Sequence, residues 1–358
     1  MSRLALALAA ALLAAPAGAE APAGEDAAWA TLQAGAQPYS PPYGRPETPS
    51  PLQALIDGAR DGATVVLPPG EHRGGCLFIE GRKGLTLKAE PGRTWLVSED
   101  SLHDVLVIAD SQDITLDGLG LLHEPAGHCT GDAIEIARSR RVTIRSCDLS
   151  GSGVAGVRAA YSADLVIERN HIHHCTYETV SLSWVLNAKV VDNLLRQNGE
   201  SQTHMEGVGL STVFGRVAIR GNTFADNPST PITLDEYPTE PVPGLPAAEV
   251  LISRNLFVRS RSPAKRASVW LKPPDQGPAW TAAPGVRRLE LRENCFDTSH
   301  KRKDLRAHVA VPAILTGNQV VPLELDPGLQ VKNPSACSGR GARLIPWLGL
   351  SRDPGSGE

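Results

Sequence analysis

The chain has 358 residues, is 41% hydrophobic and carries a net charge of -4 from 35 basic and 39 acidic side chains. That length allows one large domain or two ordinary ones and is enough to bury a substantial core. Lysine and arginine are scattered, with no basic stripe for nucleic acid, and no apolar run is long enough to span a bilayer.

In chain order, MSRLALALAAALLAAPAGAE opens with one early positive charge (Arg3), an apolar run from Leu4 to Ala15, and Ala17-Gly18-Ala19. It reads as a secretory signal peptide, residues 1–19, cleaved after Ala19, so the mature protein is expected to be periplasmic or secreted. Residues 20–51 read as a proline-rich linker that ends QPYSPPYGRPETPSP. Ser50-Pro51 gives an N-cap followed by proline at the first helical position, which predicts a short helix over LQALIDGA. The strand TVVLPPGEH follows, broken by prolines.

An internal repeat then dominates. RVTIRSCDL (141–149), DLVIERNHI (164–172), AKVVDNLL (188–195), RVAIRGNTF (216–224), EVLISRNLF (249–257), RLELRENCF (288–296) and PAILTGNQV (312–320) share the form apolar-x-apolar-x-x-Asn-x-apolar. The shared position falls at Cys147, Asn170, Asn193, Asn222, Asn255, Asn294 and Asn318. About ten residues before each lies another short alternating strand, such as VLVIA, AIEIA, TVSLS, GVGLS or PITLD. Each repeat thus holds a strand, a turn, a second strand, a tight turn bearing asparagine and a third short strand. One repeat cannot bury its apolar face alone, whereas stacked repeats share a continuous core. The apolar period is two, which excludes helical repeats.

This pattern resembles the right-handed parallel β-helix proteins, the pectate-lyase-like group of polysaccharide lyases, epimerases and hydrolases. The resemblance implies an all-β solenoid over residues 52–322 with an N-terminal helical cap, and a C-terminal tail over 323–358. In such a coil, strands about 4.8 Å apart align equivalent residues in ladders. An inward asparagine at the tight turn then bonds the rungs above and below.

Alternation predicts an outward ladder on the first strand: Phe78, Val107, Glu135, Arg158, Ser181, Gly209, Thr233 and Trp270. The resemblance implies that a polysaccharide lies along this face. Tyr161, Trp184, Phe214 and Tyr237 recur at the following turn, and Trp280 sits in a long insertion. Tyr161, Trp184, Tyr237, Trp270 and Trp280 are the candidate sugar platforms, because flat C–H faces pack on aromatic rings; the competing reading is an external stack that only stabilises the coil. Loops entering the first strand collect polar groups: Asp132 in LHEPAGHCTGD, His173, His174 and Glu178 in HIHHCTYE, and His204 and Glu206 in NGESQTHME. His171 and His173 flank inward Ile172 and are expected to face solvent. The catalytic candidates are His204, Glu206, Arg158, Lys272 and His174. Glu135, Glu178 and Asp235 are the metal candidates, with Ca²⁺ the expected ion.

A uronate lyase needs a group that neutralises the substrate carboxylate, a base for the α-proton and an acid for the leaving oxygen. A glycoside hydrolase needs two carboxyls about 5–9 Å apart. The polygalacturonase motifs Asn-Thr-Asp, Asp-Asp and Gly-His-Gly are missing, as is the Asp-Pro-His-Asp motif of mannuronan epimerases. The leading expectation is an exported lyase on an acidic polysaccharide, acting as a monomer. The alternatives are a non-catalytic polysaccharide-binding or periplasmic accessory protein, and a glycoside hydrolase.

Six cysteines allow disulfides in an exported chain. Cys129 and Cys175 sit two coils apart, roughly 9.6 Å, beyond disulfide reach. Cys147 is expected as a buried thiol and Cys295–Cys337 as a tether for the tail. No CxxC pair occurs, which argues against a structural zinc site.

Overall fold

The computed structural model describes residues 24–41, 50–199, 206–228, 230–235, 241–260, 269–271, 285–297, 305–307 and 313–321. The expected signal peptide (1–19) and tail (323–358) lie outside these residues. So do His204, Lys272, Tyr237 and Trp280; the backbones of Glu206 and Trp270 are described.

The segments that read as alternating strands pair only in parallel, each with its counterpart one repeat later. Odd and even positions of a strand face opposite sides. Ile134, Ile136, Val157, Val180, Leu182, Val208, Leu210 and Ile232 therefore all point into one shared interior and are fully or almost fully buried. Phe224, Phe257 and Phe296 stack along it with ring centroids 4.8 and 4.7 Å apart. A ten-stranded sheet forms one face of the coil. The other two faces merge into one 16-stranded sheet rather than remaining separate. Three long strands, Ala155–Glu168, Glu178–Val191 and Glu206–Arg220, run through the corner that would divide them. The chain bends there through pairs of left-handed residues three apart: Tyr161 and Asp164, Trp184 and Asn187, Thr212 and Gly215.

The asparagine turn also works as its pattern implies. The residue before it is left-handed in coil after coil: Ser146, Arg169, Asp192, Arg254 and Glu293, with Gly221 and Gly317 at the same position. Such a turn leaves backbone groups unpaired within its own coil. The amide oxygens of Asn170, Asn193, Asn222, Asn255, Asn294 and Asn318 accept from the N–H of the preceding rung at 2.9–3.0 Å. Their Nδ2 groups donate to a carbonyl of that rung's strand, as in Asn193 to Ile167 at 2.8 Å. A second ladder, Asn198, Asn227 and Ser260, does the same at another corner, and Ser111, Ser139 and Ser162 form a third.

Two helices are described, α1 (Glu25–Ala34) and α2 (Pro51–Gly58). The Ser50 hydroxyl accepts from the N–H of Gln53, and α2 seats Leu52 and Ile56 against the end of the core, as a cap must. Helix α1 falls in the stretch expected to be linker. It packs Ala28, Trp29 and Leu32 on the outside of the corner formed by the long strands. Among the described residues no helix is long and apolar enough to cross a membrane. Cys76, Cys129, Cys147 and Cys175 form no disulfide, and burial pushes the Cys147 thiol up to about 12. Cys295 is disulfide-bonded; Cys337, its expected partner, lies outside the described residues.

Candidate functional site

The register produces the outward ladder residue by residue. Phe78 pairs with Val107, Val107 with Glu135, Glu135 with Arg158, then Ser181, Gly209, Thr233 and Trp270 in turn. At its N-terminal end the face is closed by the protein itself: Tyr39 and Cys76 pack on Phe78 and Val107. At the next rungs it turns polar.

Two aspartates occupy the position just before the first strand in successive coils, Asp104 in HDVLVIA and Asp132 in GDAIEIA. Each carboxylate caps the next rung. Asp104 Oδ1 accepts from the Asp132 N–H at 2.7 Å, and Asp132 Oδ1 accepts from the Ala155 N–H at 2.8 Å. The other Asp132 oxygen meets the Arg158 guanidinium. Glu135, beside Arg158 on the neighbouring strand, accepts from the Tyr39 hydroxyl at 2.8 Å. Three carboxyls and one guanidinium thus share one patch. Asp132 is fully buried, while the Arg158 side chain keeps 38% of its surface exposed.

Crowding sets the protonation. Burial, then repulsion from Asp132 and Glu135, pushes Asp104 up to about 8. Burial pushes Asp132 up to about 6 against the opposing pull of Arg158. The anionic neighbours raise Arg158 above its already high ordinary value despite its burial, so it stays cationic. Near neutral pH Asp104 is therefore protonated beside the permanent cation of Arg158.

Of the expected site residues, Arg158 and Glu135 come together. Asp104 and Tyr39 join them unforeseen, and Asp132 comes from the list of loop candidates. The repeated aspartate before two consecutive strands was the available signal for Asp104. The expected metal set does not converge. Asp235 pairs with Ser211, four strand steps beyond Glu135, or about 19 Å. Glu178 pairs with Ala155, two strand steps and three residues from Glu135.

His174 faces elsewhere. It is left-handed (φ 54°), and its Nδ1 lies 2.7 Å from His173 Nδ1 on the ten-stranded sheet. His171 and His173 do flank inward Ile172, yet both are buried rather than solvated, at 2% and 0% exposure, because each bonds Asp148.

The aromatic ladder exists. Tyr161 stacks on Trp184 at 5.6 Å, and Trp184 meets Phe214 at 5.7 Å. Helix α1 lies over this ladder, and Gln33 donates to the Tyr161 carbonyl at 2.8 Å. Helix α1 thus covers part of the stack at Tyr161 and Trp184, and both rings stay half-buried.

Residues 103–240 match a family model described as a right-handed beta helix region. The protein is a right-handed parallel β-helix. Solved structures similar to this β-helix include an alginate lyase from Paenibacillus sp. str. FPU-7 (TM-score 0.53, 14% identity, 76% of this chain and 94% of that one). A polygalacturonase from Erwinia carotovora ssp. carotovora is comparable (0.51, 10%, 76% and 91%). The tailspike of E. coli bacteriophage HK620, solved with a pentasaccharide, covers 80% of this chain and 64% of its own (0.51, 13%). At these identities the likeness is one of fold.

Proposed function

We propose that this β-helix is an exported protein that binds an acidic polysaccharide along the outer face of its first strands and cleaves it by β-elimination. The observation that carries the reading is the patch where Arg158 and Glu135, on the outward ladder, meet the buried carboxyls of Asp104 and Asp132 at the entrance to the first strands. Arg158 neutralises the uronate carboxylate and so acidifies the adjacent C–H. Glu135, half-buried and the most accessible of the three carboxyls, takes the α-proton. Asp104 holds a proton near neutral pH and serves as the proton source for the leaving oxygen. Asp132 holds the guanidinium in place. The alginate lyase and polygalacturonase folds support a carbohydrate substrate class as analogy.

The test is an assay on alginate, pectin and glycosaminoglycans, with and without Ca²⁺ and with chelator. The expected product is an unsaturated uronate that absorbs in the ultraviolet. Arg158→Ala and Glu135→Gln should each lower the rate by roughly 10² or more, the usual effect of losing an acid–base or charge-stabilising group. Reducing ends without that absorbance would identify a hydrolase working with the same carboxyls. Retention in an affinity gel with neither product would identify a binding protein.

A further inference from the structure

A second constellation lies on the ten-stranded sheet. Asp148 and His171 are register partners on adjacent strands of successive coils. His171 and His173 project from the same side of their strand, and their rings stack with centroids 4.1 Å apart. Both rings address one carboxylate: His171 Nδ1 is 3.2 Å from Asp148 Oδ2, and His173 Nε2 is 2.8 Å from Asp148 Oδ1. One ligating atom from each residue lies within 4.8 Å of the other two. Asp148 is 1%, His171 2% and His173 0% exposed.

We propose that Asp148, His171 and His173 bind a transition-metal dication of the zinc class and clasp two successive coils. Metal–nitrogen and metal–oxygen bonds of about 2.0–2.2 Å in a tetrahedral site put neighbouring ligand atoms roughly 3.3 Å apart. The 3.2 and 2.8 Å separations run to the two different oxygens of Asp148, and one ligating atom from each residue lies within 4.8 Å of the others, so side-chain shifts of at most about 1.5 Å bring the three to that spacing. A cation can therefore take the place of the protons now shared between ring nitrogen and carboxylate.

Two imidazole nitrogens and one carboxylate oxygen select zinc, cobalt, iron or nickel over calcium and magnesium, which prefer all-oxygen shells. The donors include no thiolate, so the lack of a CxxC pair does not weigh against the site. His173 also has an outer partner. Its Nδ1 faces His174 Nδ1 at 2.7 Å, which fixes the ring and leaves Nε2 directed at the site, as a ligating imidazole requires. Three protein donors leave the fourth coordination position of such an ion to a water or anion. The site stands on a different sheet from Arg158 and does not depend on the lyase reading.

The experiment uses the full mature chain without an affinity tag, stripped with chelator and titrated with Zn²⁺ or Co²⁺. Expected are one equivalent of metal by elemental analysis, the visible d–d bands of four-coordinate Co²⁺, and a raised melting temperature. Uptake should fall as pH drops below about 6.5, where free histidine protonates. His171→Gln and Asp148→Asn should abolish uptake, and His174→Gln, which keeps all three ligands, should weaken it about 10-fold or more. His128→Gln, at an exposed residue outside the cluster, should leave it unchanged. If the two ligand variants do not fold, wild-type stoichiometry and the His174→Gln affinity still decide. Substoichiometric uptake by the wild type, or full uptake by a folded His171→Gln protein, overturns the proposal.

Discussion

At the scale of one residue, Asn193 shows how a single side chain specifies this fold. Its oxygen accepts from the N–H of Asn170 at 2.9 Å, and its Nδ2 donates to the Ile167 carbonyl at 2.8 Å and to Asn222 at 3.0 Å. It is fully buried. Asn193→Ala strands a buried N–H and a buried carbonyl, at about 1–3 kcal/mol each. We expect a loss of roughly 2–5 kcal/mol, measured by urea unfolding. Asn193→Asp should also destabilise, since it keeps an acceptor but loses the donor and adds a buried charge. These asparagines were legible because a recurring residue at one place in a repeat needs a recurring job. The second ladder was not, because it holds only Asn198 and Asn227 before Ser260 replaces asparagine, and its members sit after strands of only three residues.

At the scale of the element, helix α1 determines which part of the outer surface is available. Asp26 at its start contacts Arg140, and Leu32 is 1% exposed against the aromatic corner. Leu32→Asp should release the helix by removing about 2–3 kcal/mol of apolar burial. The expected signs are a red shift in tryptophan fluorescence from Trp29 and Trp184 and new binding of a hydrophobic dye. The parallel-strand circular dichroism should remain. The sequence EDAAWATLQA hides this helix: it is short, it packs only Ala28, Trp29 and Leu32, and its Gly24 cap makes no side-chain bond. Helix α2 was legible because Ser50 and Pro51 mark its start. The aromatics of the corner were also visible in the sequence. What covers them was not, because that contact joins residues more than a hundred positions apart.

At the scale of the whole molecule, opposed carboxyls shape stability against pH. Asp104 and Asp132 titrate higher folded than unfolded, near 8 and 6 against an ordinary 3.8. The folded state then holds extra protons between those values, so their contribution is complete in acid and is lost as pH rises through about 6 to 8. Asp148 is depressed, and its contribution is lost only as pH falls below the ordinary carboxyl range. Melting temperatures should therefore peak in mildly acidic buffer and decline toward pH 8 and above, and Asp104→Asn should flatten that decline. Alternation alone brought Arg158 and Glu135 to one face. The protonation of Asp104 and the burial of His171 and His173 depend on charges and cover supplied by other coils, which no single segment encodes.

The asparagine rungs are separated by 23, 23, 29, 33, 39 and 24 residues, yet each bond between them keeps the same 2.9–3.0 Å. Pitch is thus independent of how much chain a turn consumes. The surplus falls between the strands in sequence while the spine advances by one fixed step. A segment of a dozen residues grafted at such a corner would leave the height of the column untouched, so its recognition edge can be lengthened or remodelled without retuning the core beneath it.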